Sequence, residues 1–463
     1  MTTPLRWHQG ISRYQWLVLI IASLGWVFDV FEGQIFVASM QDAMPDLLGV
    51  AADHASVRQW NDWSFGAFLL GGALGGVLFG MMSDRVGRSK TMIITILFYS
   101  VFTCLSAFSQ EGWHMAVLRF FVAMGVGGEW AVASAMVAEV MPKRSRAVMS
   151  SIFHASSVLG TLLAVLAVAL LIGNAEVNAW FANKGIDGWR VGFFIGILPA
   201  LLTLWIRWKL HEPESWHAAK AKEKSDTRLA TGRLRDLFAK EHLRNTMVGV
   251  SLATIGLVTF WGAHIYGKDA LLRRAQVDIV AAASLPADAP ASVKSALLAA
   301  PEHRAPLKRA EMLSMAINTV GGGLGLVFFG AISNRLGRKG AFALYHAMAF
   351  ATTAILFGYL IPQGASALTL ALFLPLFGFF TLGMHAGYAV YFPELYPTRL
   401  RGTGAGLCFN AGRLGTAAAF FGFAAMTSPP SPVQKALWLS PLFLLGVLVV
   451  LLAKETRDEE LPE

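Results

Sequence analysis

The sequence predicts an all-α membrane protein of twelve transmembrane helices in two pseudo-symmetric six-helix bundles. Three observations predict it: an apolar inventory sized for a dozen bilayer spans, basic residues gathered in alternate loops, and two motifs that recur half a chain apart. Of 463 residues 55% are hydrophobic, about 255 side chains, against 38 basic and 29 acidic ones. One span takes about 20 mostly apolar residues, so twelve use the whole inventory. A water-soluble chain carries about 25% charged residues; this one carries 14%, and its mean hydropathy is +0.53. Its 45 glycines suit helices packed closely in lipid. A soluble enzyme, a nucleic-acid binder and a disordered scaffold are excluded.

Hydropathy places the first six spans near 15–40, 60–82, 91–109, 113–140, 147–172 and 190–209. The second six fall near 245–266, 312–333, 340–361, 367–392, 403–427 and 434–453. The first apolar run, from Gln15 past Val37, is too long for a cleavable signal core, and no small-residue cleavage site follows it. The domains expected are an N-terminal bundle (1–209), a polar linker (210–244) and a C-terminal bundle (245–463) with a long loop at 267–311. Two segments of that loop, Leu271 to Leu285 and Ser292 to Ala300, have amphipathic helical patterns. The loop reads either as a lid or as an insertion of no consequence.

The net charge of +9 reads as loop anchoring rather than as a nucleic-acid footprint. Arg85, Arg88 and Lys90, then Lys143, Arg144 and Arg146, the linker, Arg335, Arg338 and Lys339, and Arg399 and Arg401 all fall on the side of the N-terminus. The short loops opposite hold Arg58, Lys184 and little else. By the positive-inside rule both termini and the linker are cytoplasmic, in a multi-pass protein of the cell (inner) membrane. The two cysteines, Cys104 and Cys408, lie inside apolar stretches, so neither a disulfide framework nor a metal site is expected. His211-Glu212 begins a zinc-protease pattern that Ser215 ends, and no phosphate-binding loop occurs. No cofactor is expected.

Two motifs repeat. Gly80-Met-Met-Ser-Asp84-Arg85-Val-Gly87-Arg88 returns 250 residues later as Gly330-Ala-Ile-Ser-Asn334-Arg335-Leu-Gly337-Arg338. Glu139-Val-Met-Pro142-Lys-Arg-Ser-Arg146 returns 255 residues later as Glu394-Leu-Tyr-Pro397-Thr-Arg-Leu-Arg401. Each copy sits after the equivalent span of its half, so the chain is two related halves in one orientation. At these residues the sequence resembles the major facilitator superfamily over essentially its full length. Phe193 to Pro199 and Glu212-Pro213-Glu214-Ser215-Trp216 resemble bacterial organic-acid symporters, such as those for sialate, aromatic acids and nicotinate. The resemblance implies a substrate site near midplane between the halves, reached by alternating access.

Asp29 and Glu32 stand at i and i+3 in the first span and share one helix face. Asp29 lies about 21 Å from the start of its span, at 1.5 Å per residue. Carboxylates at that depth are expensive and are kept where they meet water, a partner or a proton; burial favours the neutral form. They read as proton carriers or as structural hydrogen-bond partners of a neighbouring helix. In the fourth span Arg119 and Glu129 are about 15 Å apart along the axis and cannot pair. Arg119 either meets Asp29 or Glu32 across the cavity or snorkels to the surface. Glu129, nearer midplane, is a second proton or substrate group.

Asn410 and Arg413 share a face of the eleventh span close to midplane. A buried guanidinium grips a carboxylate through two parallel hydrogen bonds; the alternative is an ion pair with another helix. Of the membrane histidines His154, His264, His346 and His385, a packing role is the default. His385 is the strongest candidate because the resemblance puts the tenth span on the cavity, with Tyr388 and Tyr391 on the same stripe. Trp130, Trp261 and Tyr388 are candidates to stack on a substrate ring.

The resemblance implies that the loop motifs gate. Asp84 should complement the N-terminus of the eleventh helix near Thr403, with Arg85, Gly87, Arg88, Arg335 and Arg338 in the same latches. Glu139 with Arg146, and Glu394 with Arg401, are expected to pair as the cytoplasmic side closes. Asn334 replaces the aspartate in the second copy, which predicts a weaker latch. The fifth span lacks the Gly-Pro motif of antiporters in the family, which speaks against efflux. The function expected is proton-coupled symport of a small carboxylate by a monomer whose partners are that anion, protons and the lipid bilayer. A neutral-sugar porter and a non-transporting nutrient sensor remain open.

Overall fold

A computed structural model describes residues 7–51, 54–167, 170, 175–285, 290–424, 426 and 430–463. The first helix, α1 (Arg13–Leu48), opens with a capping box in which the Ser12 hydroxyl accepts from the Gln15 N–H and the Gln15 side chain accepts from the Ser12 N–H. It runs eight residues past the predicted end at 40, because Met40, Ala43 and Met44 go on burying apolar surface, and stops at Gly49 (φ 62°). Next come α2 (Ala55–Val86), α3 (Arg88–Ser106) and α4 (Gly112–Val140). The fifth span is broken at Ser156 into α5 (Lys143–Ala155) and α6 (Ser157–Ala167), and a short α7 (Ala175–Ala182) follows. The sixth is broken at Gly196 to Pro199 into α8 (Gly188–Ile195) and α9 (Ala200–Lys209), where Pro199 has no N–H to continue a ladder.

The linker contains α10 (Glu214–Ser225) and two 3₁₀ turns. The seventh span is α11 (Lys240–Thr259), a π-helical turn over Phe260–His264 and α12 (Ile265–Gly267). Within the long loop lie α13 (Ala270–Ala282) and α14 (Ala291–Ala299), after which α15 (Pro301–Ile355) runs to a π-turn at Leu356–Leu360. Residues 301–311, read from sequence as loop, are therefore helix. The eighth and ninth spans join within α15, broken only at Gly337 (φ 81°). Then come α16 (Ala367–Gly383), α17 (Ala386–Tyr391), α18 (Arg401–Ala424), α19 (Pro432–Leu439) and α20 (Pro441–Leu451). The predicted ends of the fifth and eleventh spans, at 172 and 427, and the 286–289 part of the loop lie outside the described residues.

Among the described residues nine helical stretches are long and apolar enough to cross a membrane. The twelve spans of the fold follow from three features. One stretch, Pro301–Leu360, holds two spans; the sixth is short and split; and the eleventh carries Arg401 and Arg413 in a glycine-rich helix.

The repeat extends into packing. A Cβ on Gly71 or Gly75 of α2 would strike the backbone of Phe120 or Met124 in α4. A Cβ on Gly321 or Gly325 of α15 would strike the backbone of Pro375 or Phe379 in α16, the equivalent positions. Close helix contact of this kind needs small residues. The halves meet crosswise: Gly80 of α2 abuts Gly402 at the start of α18, and Gly330 of α15 abuts Ala147 and Val148 near the start of α5. Motif loops, linker and both ends of the described chain gather at one end of the molecule, the terminal face.

Candidate functional site

Gly87 (φ 125°) and Gly337 (φ 81°) occupy the same place in the two motif copies, where backbone turns sharply between consecutive spans. A side chain would be strained at either. The turn exposes the first N–H groups of the next helix, and a carboxylate caps each set. Glu212 accepts from the N–H of Arg88 (2.5 Å), Ser89 (3.2 Å) and Lys90 (3.3 Å). Glu455 accepts from the N–H of Arg338 (2.8 Å) and Lys339 (3.1 Å). Neither acid was singled out as a partner of these motifs from the sequence. The visible signal is the recurrence of an acidic residue just past the sixth and twelfth spans.

Asp84 is fully buried. Its Oδ1 accepts from Arg88 Nη1 (2.7 Å) and the Gly402 N–H (3.0 Å); its Oδ2 accepts from the Thr403 N–H (2.8 Å) and hydroxyl (2.5 Å). A carboxylate thus sits on the first N–H groups of α18 across the interface between halves. Glu139 does not pair with Arg146, whose Nε donates to the Ala138 carbonyl (3.1 Å). One Glu139 oxygen instead accepts from Arg88 Nη2 and Arg401 Nη1, both at 2.8 Å, joining the halves. Glu394 in turn takes Arg338 (2.8 and 2.9 Å) and the Thr456 hydroxyl (2.6 Å) rather than Arg401. The two copies agree in this: each motif arginine gives its Nε to the carbonyl just before the glutamate, Arg146 to Ala138 and Arg401 to Pro393 (3.0 Å), and leaves the glutamate to Arg88 or Arg338.

Asn334 accepts from Arg338 (3.2 Å) within its own half. Arg85 is exposed and donates to the Gly232 carbonyl (3.0 Å) of the linker, while the exposed Arg335 offers its carbonyl to Arg457 (2.7 Å).

Beyond this sealed face lies a buried charged cluster. Glu32 and Arg119, on α1 and α4, form a forked ion pair: Nη1 and Nη2 each 2.6 Å from Oε1, and Nη2 2.8 Å from Oε2. Thr103 of α3 donates to the same Oε1 (3.1 Å), and the guanidinium lies 4.0 Å from the Phe36 ring centroid. Arg119 thus meets Glu32 and does not snorkel. Asp29, one helical turn away, is 2% exposed and faces the Tyr99 hydroxyl of α3 without a hydrogen bond of good geometry. Glu129 comes up against α1 one turn before Asp29, where a Cβ on Gly25 would strike its Oε1. Glu129 Oε2 accepts from the Thr95 hydroxyl (2.7 Å), while its Oε1 is buried without a partner.

Arg413 reaches this cluster from the other half. A Cβ on Gly72 would collide with its Nη1, and one on Gly76 with the Asn410 amide, so two glycines four residues apart on α2 make room for both side chains. Nη1 is buried with no hydrogen-bond partner, as is Asn410 Oδ1; Asn410 Nδ2 donates across the halves to the Gly127 carbonyl (3.3 Å). The Phe68 ring lies 5.8 Å from both guanidinium groups, Arg119 and Arg413. Gly72, Gly76, Phe68 and Tyr99 went unmarked in the sequence, although Gly-x-x-x-Gly spacing was there to be read.

The aromatic candidates separate. Trp130 is fully buried, donates to His154 Nδ1 (3.1 Å) and stacks on Phe409 of the other half at 3.9 Å. Tyr388 gives its hydroxyl to the Leu252 carbonyl (3.0 Å). Both side chains have protein partners in this structure. His385 is 4% exposed, has Nδ1 3.0 Å from the Leu382 carbonyl, and lies edge-on to Phe260. Half-buried Trp261 makes an edge contact with Phe65 across the halves at 5.4 Å. A separate groove of about 830 Å³ opens between the outer parts of α2, α4 and α18, lined by Trp60, Trp63, Phe120 and Phe421. It contains none of the buried cluster. Among the described residues no group of His, Cys, Asp and Glu has metal-holding geometry.

Relatives share the length of this architecture. The chain is 29% identical over 418 residues to the sialic acid transporter NanX of Escherichia coli, covering 89% of this chain and 87% of that protein. It is 28% identical over 357 residues to the cis,cis-muconate transport protein of Acinetobacter baylyi, 76% and 75% of the two chains. It is 26% identical over 461 residues to the niacin transporter NiaP of the same species, 97% and 96%. Among solved structures, the proton:xylose symporter XylE bound to 6-bromo-6-deoxy-D-glucose superposes with a TM-score of 0.72 at 17% identity, over 97% of this chain and 98% of that one. The fold is common to both. The model of the Major Facilitator Superfamily matches residues 16–420, and the chain belongs to that superfamily of multi-pass membrane transporters.

Proposed function

We propose that this transporter is a proton-coupled symporter that carries a small organic acid into the cell by alternating access. The observation that supports it most is the buried, unpartnered Arg413 Nη1, which reaches from the C-terminal half into the space left by Gly72 beside the buried acidic cluster. An unsatisfied buried guanidinium N–H is costly, and a substrate carboxylate relieves that cost with a charge-assisted bond. Arg119 has its charge neutralised by Glu32, whereas Arg413 makes no ion pair among the described residues and so keeps its charge for an incoming anion. Asn410 Oδ1 offers an acceptor beside it, and we assign His385 and Trp261 of the C-terminal half to the same site.

Asp29 and Glu129 carry the proton in this reading. Two neighbouring carboxyl groups in one dry site do not both ionise readily, so a proton bound there balances the charge that the substrate brings. Once proton and acid are aboard, residues 1–209 and 245–463 rock about the 210–244 linker. The Asp84, Glu139 and Arg401 contacts break and the terminal face opens. That face is cytoplasmic in this assignment, both termini with it, and the working unit is a monomer. The names of the NanX, muconate and niacin relatives support the acid class.

The test is substrate-induced proton movement in proteoliposomes, screening sialate, aromatic acids, nicotinate, dicarboxylates and neutral hexoses. A carboxylate that alkalinises the outer medium is the expected result. Response to a hexose alone, with silence across the acids, would overturn the assignment.

A further inference from the structure

We infer that residues 459–463 form a strap across the terminal face that holds the two halves closed. The segment before it is fixed to the C-terminal half. Tyr391 donates to the Lys454 carbonyl (2.7 Å), Glu455 caps Arg338 and Lys339, the Thr456 hydroxyl donates to Glu394 (2.6 Å), and Arg457 donates to the Arg335 carbonyl (2.7 Å). From this anchor the chain leaves its own half. Glu460 reaches Lys143 at the start of α5 (3.4 Å), and Glu463 reaches Lys222 on the linker helix α10 (2.7 Å). Between them the Pro462 carbonyl accepts from Arg401 Nη2 (2.8 Å).

That middle contact is what ties the strap to the gate. Arg401 is fully buried, and its other terminal nitrogen holds Glu139 of the N-terminal half. When the halves part, Arg401 leaves Glu139, and Lys143 moves away from the Glu460 that the C-terminal half holds. The strap therefore has fewer contacts in the open state than in the closed one. Its two ion pairs are exposed and individually weak, but anchoring at Glu455 and Thr456 makes each an intramolecular event at high effective concentration. The Pro462 bond, within the C-terminal half, is a charge-assisted contact at a desolvated guanidinium that positions the strap for its two crossing pairs. Exposed pairs are screened by salt, so the strap loosens as ionic strength rises.

The experiment reads opening of the terminal face without any substrate, so it succeeds or fails independently of the organic-acid assignment. Ala131 of α4 is fully buried and packs close to Gly406 of the other half. With Cys104 and Cys408 replaced by alanine, Ala131→Cys reports opening through its rate of alkylation by a membrane-permeant maleimide. A chain stopped after Asp458 should be alkylated about threefold to tenfold faster than the full chain. The paired reversal Glu460→Lys and Glu463→Lys should produce the same rise, and adding Lys143→Glu and Lys222→Glu should restore the slow rate. The reversal keeps every residue of the chain, so it carries the test if the shortened protein does not fold. Equal alkylation rates in the full chain and the reversal variant overturn the strap.

Discussion

Arg119 and Glu32 neutralise each other inside the N-terminal half, with guanidinium and carboxylate in a two-pronged contact of 2.6 and 2.8 Å and both side chains at most 1% exposed. A buried pair of this kind is a poor source of net stability but a severe liability once split. Arg119→Ala leaves an unpaired carboxylate and Glu32→Ala an unpaired guanidinium, each costing about 3–5 kcal/mol. Replacing both at once removes the uncompensated charge and should cost clearly less than the sum. Thermal unfolding of the three variants in detergent measures this, and strictly additive losses would show that the two charges do not depend on each other.

Arg413 behaves differently because no carboxylate pairs with it among the described residues. Arg413→Lys keeps the charge and loses the planar fork, so the affinity for a carboxylate substrate should fall by about tenfold. Gly72→Ala should weaken binding as well, since its methyl group enters the space of Arg413 Nη1. Equilibrium binding of the transported acid distinguishes these outcomes. Unchanged affinity in Arg413→Lys removes this residue from the site.

Asp29→Asn and Glu129→Gln are expected to separate coupling from binding. Each keeps the shape of the side chain but cannot give up a proton. Uphill accumulation driven by a pH gradient should disappear, while exchange of labelled for unlabelled acid continues. Thr95 holds Glu129 Oε2 at 2.7 Å, so the glutamine keeps a partner and the fold. Full accumulation by either variant would falsify its role in proton coupling.

Span positions were legible because length and apolarity are local properties of a chain. The exceptions have local causes too: α1 continues past 40 because Met40, Ala43 and Met44 find buried neighbours, and α8 and α9 part at a proline. What the sequence hides is helix rotation. The spacing of Arg119 and Glu129 shows that they cannot pair, but not that Glu129 faces Asp29, a hundred residues earlier. Trp130 reads equally well as a substrate platform and as packing; only the approach of Phe409 from the other half decides. Glu212 and Glu455 were obscure for the same reason, since a cap is recognised by the N–H groups that come to meet it.

Glu455 also makes a pH prediction outside the membrane. Burial alone would raise its pKa, but the N–H groups of Arg338, Arg457 and Lys339 and the nearby guanidinium of Arg338 outweigh that and hold it below the ordinary glutamate value. A depressed folded-state pKa stabilises above the ordinary value, and the contribution fades as pH falls through the depressed one. Glu455→Gln should therefore lower Tm most near neutral pH, with the gap to the native chain closing in acid. A gap that widens on acidification would contradict the capping role.

The two latches are unequal, and their inequality can be tested by exchanging residues. Asp84 accepts from both the Gly402 and Thr403 N–H groups, so its charge faces the partly positive start of α18 in the other half. Asp84→Asn replaces one of those acceptor oxygens with an NH₂ group that confronts donors, and it also leaves Arg88 one anion short. The terminal face should then open more readily, raising maleimide access to Ala131→Cys even without substrate. Asn334 gives its oxygen to Arg338 of its own half. Asn334→Asp therefore adds charge beside Arg338 without adding a bond across the interface, and access should stay within about twofold of the native value. If the two exchanges shift access by equal and opposite amounts, the halves are latched symmetrically, and the crossing of Asp84 to α18 is not what keeps this face shut.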